Sequence, residues 1–377
     1  MRSIRMVLAA ASVAAISSAA TAAIDYTNPT YSVALTRAEI EAVAGSSSSG
    51  ATFFSTSFIP DSTPGNILLI QDPSGGGSGT GLIRINVTTK VGSVIANDAA
   101  ISAVADEAAS PVDQDTNGLA LDPGTGTVYL SDREDDDEII EITSAGGVSN
   151  LAGASIGAGA YLNGIVFSAG NLYYCNEASD TVIAYNIGTG IESTLVSTAA
   201  YTAVSGGTLL GSSGGPVLSG SNLLIFDETG FAGGTSDQVI QVALPGGAVS
   251  VKVPAALFGA GTEPGFSTFV VTSDGTIIAW DEFGAGAALA TFLVIPQGTG
   301  TPIRFTQASI AAALGLSAVT AVDPPDENSM MVLTDNASEV SVLFALAGST
   351  VADTGPVGGI AKMTFTAAAS VPDWTLY

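Results

Sequence analysis

A short apolar run that ends in Asp or Asn recurs six times along this chain. The copies are Ile67 to Asp72, Val128 to Asp132, Leu172 to Asn176, Leu223 to Asp227, Ile277 to Asp281 and Met331 to Asp335. Their last residues lie 60, 44, 51, 54 and 54 positions apart. Turn-forming residues precede each run, as in Pro64-Gly65-Asn66 or Ser273-Asp274-Gly275, and a polar or glycine-rich loop follows it. Beyond the loop stands a second apolar stretch, Leu82–Ile85, Ile139–Ile142, Val182–Tyr185, Val239–Val242, Phe292–Ile295 or Val340–Leu343. Two such runs joined by turn chemistry read as a hairpin, and six copies at a period of about 53 residues read as a repeat fold.

Another feature recurs with the same count. After each hairpin a short strand leads into a small Ala-rich segment, beginning near Val33, Val94, Asn150, Leu195, Val251 and Ile303. Residues Ala38–Ala44, Ala99–Ala105 and Ala308–Leu314 read as one or two helical turns, capped by Thr36, Asn97 and Thr306. The other three are too rich in glycine to assign. Four strands per unit and six units give an all-β fold, a six-bladed β-propeller with short helical excursions between blades. A pair of β-sandwiches also shows frequent turns, but does not predict one acidic or amide residue at an equivalent place in each unit. The strand near Val33 has no hairpin before it. It is therefore expected to complete the last blade beside the C-terminal segment Gly358–Thr366. The organisation expected is residues 1–22 as a leader and 23–377 as one propeller domain.

The leader is read from Arg2 and Arg5, an apolar run from Met6 to Ile16, and the small-residue pattern Ala20-Thr21-Ala22. The apolar run is about half of the roughly 20 residues that span a bilayer. The protein is thus expected to be exported, whether secreted, periplasmic or at the cell surface, with no membrane span in the mature chain. Composition narrows the chemistry further. The chain has 9 Lys+Arg against 35 Asp+Glu, a net charge of −26, and no histidine. Histidine-based triads and metal centres are excluded, and so is phosphate-directed nucleic-acid binding, which needs clustered cations. One cysteine, Cys175, cannot form an intramolecular disulfide, so stability rests on a large core.

The second and third units carry a family resemblance. Asn117 to Asp132 with Ile139–Ile142, and then Asn163 to Asn176, resemble the repeats of NHL-type propellers and of the SMP-30 (gluconolactonase/regucalcin) propellers. The lactonase members of that group hold calcium with a Glu and an Asn at inner-strand starts and an Asp from another blade. The resemblance implies Asn117, Asn163 and Glu263 as the matching channel ligands. Where the pattern calls for a further Asp-Gly, this chain reads Ser213-Gly214-Gly215-Pro216. A second candidate calcium loop opens at Asp113 and Asp115 and runs through Asn117-Gly118, but its twelfth position is Gly124 in place of a bidentate Glu.

The six run-ending residues Asp72, Asp132, Asn176, Asp227, Asp281 and Asp335 are expected at the ends of second strands, all on one face. There they would cap the loops that follow by accepting backbone N–H bonds. The run Asp132–Glu138 reads as a solvated acidic loop. A propeller phytase would need basic residues to hold phosphate, and the mature chain has seven, scattered. The sequence therefore leads to an exported acidic scaffold, calcium-stabilised, that binds a protein or small molecule on its loop-rich face as a monomer. The competing reading is a calcium-dependent hydrolase of lactone-type substrates.

Overall fold

A computed structural model describes residues 23–45, 53–73, 81–104, 116–132, 138–151, 162–176, 179–206, 215–227, 238–258, 266–281, 291–298, 300–316, 322, 329–346 and 358–368. Six four-stranded antiparallel sheets make up the fold. Blade 1 comprises β2 (Phe53–Pro60), β3 (Asn66–Pro73), β4 (Gly81–Asn86) and β5 (Gly92–Ala96). Blade 2 comprises β6 (Thr116–Asp122), β7 (Thr127–Asp132), β8 (Glu138–Ile142) and β9 (Val148–Asn150). Blade 3 is β10 (Leu162–Ser168), β11 (Asn171–Asn176), β12 (Thr181–Asn186) and β13 (Ile191–Val196). Blade 4 is β14 (Val217–Ser219), β15 (Asn222–Asp227), β16 (Gln238–Ala243) and β17 (Val249–Val253). Blade 5 is β18 (Phe266–Val271), β19 (Ile277–Asp281), β20 (Thr291–Ile295) and β21 (Ile303–Thr306). Blade 6 is β22 (Met330–Asp335), β23 (Glu339–Ala345), β24 (Ile360–Ala367) and, outermost, β1 (Ile24–Leu35).

The first strands pack against one another in sequence, β2 on β6, β6 on β10, β10 on β14, β14 on β18, β18 on β22 and β22 on β2, which closes the ring. Closure is completed at the rim by β1, which pairs antiparallel with β24 from Ile24 opposite Ala367 to Leu35 opposite Ile360. The expected joining of the N-terminal strand to the C-terminal segment is what the sheet shows. Six units, four strands each, and closure by the chain's start are all as the repeat spacing implies.

The unbroken apolar runs follow from the burial of both sheet faces. Alternate side chains of a strand point to opposite faces, so a blade between two neighbours needs apolar residues at every position. In β3, Ile67 and Leu69 enter the core shared with blade 6, while Leu68 and Ile70 enter the core shared with blade 2. In β15, Leu223 and Ile225 face blade 3, and Leu224 and Phe226 face blade 5. Each of the six seams has such a core. That between blades 5 and 6 is the most aromatic, with Trp280 and Phe292 centroids 5.0 Å apart and Phe292 and Phe344 4.8 Å apart.

Small helices fill the rim between successive outer strands. Helix α1 (Arg37–Ala44) follows β1 and carries a full capping box between Thr36 and Glu39. Helix α2 (Asp98–Ser102) is capped by Asn97, and α4 (Gln307–Leu314) by Thr306, as expected. A further helix, α3 (Thr198–Ser205), follows β13 with Ser197 as its cap. Close approach between blades is built into the turns from third to fourth strand. Gly247 sits there at φ 68°, where an added Cβ would lie 2.3 Å from the Leu195 carbonyl oxygen of blade 3. In blade 1 the equivalent left-handed place holds Lys90, whose Nζ donates to the Val87 carbonyl at 2.7 Å and to the carbonyl of Ala34 in β1. That side chain ties blade 1 to the closing strand.

Candidate functional site

The sequence motifs fall into place as structure first. Within blades, second strands end and third strands begin at one end of the sheet, and the tight turns from first to second strand sit at the other. Asn163-Gly164 lies on β10 at a bulge, where the register shifts between Asn163 and Ile165. Gly164 adopts φ 56°, and a Cβ on it would lie 2.6 Å from Cα of Gly215 in the next blade. The glycine is therefore required by the close packing of two first strands. Asn117-Gly118 occupies the corresponding bulge in β6. The two asparagines are on adjacent first strands, and their side chains lie outside the described residues. Glu263, Asp113, Asp115 and residues 1–22 lie outside them as well, as do the side chains of Asp72 and Asp132.

Four strand-end residues can be followed in full, and each is engaged differently. Asn176 accepts from the Ser179 backbone N–H at 3.0 Å. Asp281 is fully buried and paired with Arg304 on the fourth strand of its blade, Nη1 to Oδ2 2.6 Å. Asp227 is equally buried, and among the described residues no Lys or Arg pairs with it. Its Oδ2 accepts from Gln238 Nε2 at 3.4 Å across the β15–β16 pair. Its Oδ1 and the hydroxyl of Tyr201 on α3 are both buried without a well-formed hydrogen bond among the described residues. Burial pushes the Asp227 carboxyl up to about 7, partly countered by Gln238 and Tyr201 and reinforced by Asp180. The same burial raises the Tyr201 hydroxyl well above its ordinary range. Asp227 is therefore held largely as the neutral acid below neutral pH.

Asp335 corrects the expectation of a single face. It ends β22, the first strand of its blade, and so lies at the tight-turn end of the sheet, opposite to Asp227 and Asp281. The second strand of blade 6 is β23, which ends in apolar Ala345 and is followed by buried Leu346. The chain between α4 and β22 is longer than the other blade-to-blade connections, so a constant period lands one strand early in the last unit. Asp335 does cap a turn, but in the neighbouring blade: its carboxylate accepts from Ser273 N–H at 2.5 Å and from Ser273 Oγ at 2.8 Å.

That cross-blade bond borders a groove of about 640 Å³ at the seam of blades 5 and 6. Ile24, Val340 and Pro296 supply its apolar walls, and Asp274, Asp335 and Gln297 its polar edges. The Tyr26 hydroxyl, from β1, donates to Asp274 Oδ2 at 3.2 Å. Desolvation pushes the Asp274 carboxyl up, and hydrogen bonds from Thr272, Thr276 and Tyr26 more than offset it, leaving it below the ordinary carboxylate range. The residues of this groove come from four separate stretches of chain, of which the sequence pattern marks the Asp274-Gly275 turn, Asp335 and Val340 but not their meeting. Among the described residues no three carboxylates or thiols converge as metal ligands. Of the strand-end residues whose side chains are described, Asn176, Asp227 and Asp281 lie at one end of the sheets and Asp335 at the other.

No family model matches this sequence, and no curated protein does. Solved structures do. A protein of unknown function from Bacteroides thetaiotaomicron aligns with a TM-score of 0.51 at 12% identity, over 90% of this chain and 76% of that one. TolB from Acinetobacter baumannii aligns at 0.41 and 12% identity, over 86% and 66%. A chain of a nidogen/laminin complex aligns at 0.41 and 12%, over 72% and 88%. The first of these likenesses is one of fold. The sequence resemblance to NHL and SMP-30 repeats thus finds its support in the propeller architecture alone. Among the described residues, no helix is long and apolar enough to cross a membrane.

Proposed function

We propose that this protein is an exported binding scaffold whose ligand contacts the groove at the seam of blades 5 and 6. The groove carries the reading. It is large enough for a small ligand or a peptide segment, it combines apolar walls with carboxylate edges, and the blades beside it are locked by the Ser273–Asp335 and Tyr26–Asp274 bonds. Export is supported by the leader pattern ending at Ala22 and by β1 starting at Ile24, so that removal of 1–22 leaves the closing strand whole. An acidic surface keeps such a ring soluble and selects against acidic partners.

A second reading, calcium-dependent hydrolysis of lactones, draws on Asn117 and Asn163 occupying bulges of adjacent first strands, with Glu263 as the third ligand. Calcium there would polarise a substrate carbonyl. The two readings separate in one set of measurements on the mature protein. Thermal unfolding is followed against calcium with EDTA as control, and a panel of simple lactones is assayed for hydrolysis. The scaffold reading expects no calcium-dependent turnover. It also expects that a partner retained from the exported fraction by the wild type is lost with the groove-filling Ala337→Trp. Calcium-dependent turnover abolished by Asn163→Ala, and kept when the acidic loop Glu134–Glu138 is neutralised, would replace it with the enzyme reading.

A further inference from the structure

Beyond the ligand groove itself lies the question of what occupies its end. Ala23 is the residue that would become the amino terminus on cleavage after Ala22, and it is part of the groove lining together with Asp274 and Asp335. Its position is fixed from the other side of the sheet, because the Ala368 N–H donates to the Ala23 carbonyl at 2.9 Å, continuing the β1–β24 ladder by one step. Ile24, next in the chain, packs against the aromatic core of the same seam. No Lys or Arg belongs to the described lining of the groove, although two carboxylates from different blades do. Asp274 accepts from Thr272, Thr276 and Tyr26, and Asp335 accepts from Ser273, so both carboxylates are held in place on the lining.

We infer that removal of the leader adds a cation to this lining, and that the new α-ammonium of Ala23 pairs with the Asp274 and Asp335 carboxylates to latch β1 into the ring. Hydrolysis breaks the bond between the Ala22 carbonyl carbon and the Ala23 nitrogen. Water supplies the hydroxyl to Ala22, and the released amine takes up a proton at neutral pH. Before that step the same nitrogen is an uncharged amide, so the latch forms only in the processed protein. Ala23 is then a positioning residue for ring closure, acting through β1 on blades 5 and 6. The inference rests on the export reading proposed above.

The test uses the full chain, expressed with its leader, recovered from the exported fraction and weighed intact to fix its first residue. Reductive methylation with carbon-13 labels the terminal amine without removing its charge, and its titration is read by NMR beside the signals of the lysines. The terminal amine is expected to titrate about half a pH unit or more above the ordinary 7.7–8.0. In Asp335→Asn and in Asp274→Asn, each confirmed to unfold cooperatively, it should fall back toward that range. Acetylation of the terminal amine should lower the melting temperature by about 1–3 °C at pH 7, a difference that disappears in the double carboxylate variant. A mature chain that begins at Ala23 with an ordinary amine titration overturns the latch and leaves export standing. A mature chain that begins elsewhere also overturns the latch alone, and a chain that never reaches the exported fraction overturns the export reading with it.

Discussion

Replacing Asp227 by Asn should stabilise the protein, and only above acidic pH. Asp227 is a buried carboxyl with a titration point of about 7 in the fold against an ordinary 3.8, raised chiefly by burial. A folded value above the unfolded one means that the contribution of the group is fully present below pH 3.8. It is lost as pH rises toward about 7, because the unfolded chain gives up its proton first. At 1.36 kcal/mol per pH unit, the gap corresponds to about 4 kcal/mol at pH 8, an upper figure because local opening admits water. Asn keeps the shape, remains neutral, accepts from Gln238 and offers an N–H toward the Tyr201 hydroxyl. Asp227→Asn is therefore expected to match wild type within about 1 kcal/mol at pH 4 and to exceed it by about 2–4 kcal/mol at pH 8. With an unfolding entropy of about 2.1 cal/mol/K per residue, this is a rise in melting temperature of about 3–5 °C. Calorimetry or urea unfolding at pH 4, 6 and 8 reads the difference directly. Equal stability of the two proteins at pH 8, or a difference independent of pH, would refute the assignment of Asp227 as a buried neutral acid.

Arg304→Met strands the fully buried Asp281 carboxylate and should cost about 3–5 kcal/mol in urea unfolding, most of it recovered in the double variant with Asp281→Asn. Gly247→Ala forces a Cβ to within 2.3 Å of the Leu195 carbonyl at positive φ and should cost about 2–4 kcal/mol. Gly220→Ala, also at positive φ but with nothing within 4 Å, should cost about 1 kcal/mol and serves as its control. Phe292→Ala opens the seam between blades 5 and 6 and should lower stability by about 3–5 kcal/mol.

The architecture was legible because a blade writes itself twice into the sequence. Apolar residues at successive positions mark sheets buried on both faces, and turn residues at a regular interval mark where they reverse. Thr36, Asn97 and Thr306 announced three helices through ordinary capping chemistry; α3 was passed over as glycine-rich, although Ser197 offers the same cap and glycine enters only at its C-cap, Gly206. The last unit was misphased because an irregular connection delays β22, a matter of loop length that no local pattern encodes. Asp227 and Asp281 look identical as sequence, each ending an apolar run and followed by Glu. Their surroundings differ because Arg304, on the fourth strand some 20 residues away, pairs with one, while among the described residues no Lys or Arg is paired with the other. The groove was illegible for a related reason. Tyr26, Asp274, Gln297 and Asp335 become neighbours only after the ring has closed.

Closure by β1 also sets an order of events. A chain that emerges amino end first presents its outermost strand of blade 6 before anything exists to pair with it, and more than 300 residues must follow before β24 arrives. Until then the twelve residues of β1 are an open edge with unsatisfied backbone groups, the kind of surface that holding factors recognise and that aggregates if left alone. Ala23 and Ala368, by contrast, are hydrogen-bonded neighbours in the ring. Joined by a short linker and reopened at the Ala169-Gly170 turn, the same circle of strands could be read from a different starting point, and every blade would then be contiguous except blade 3.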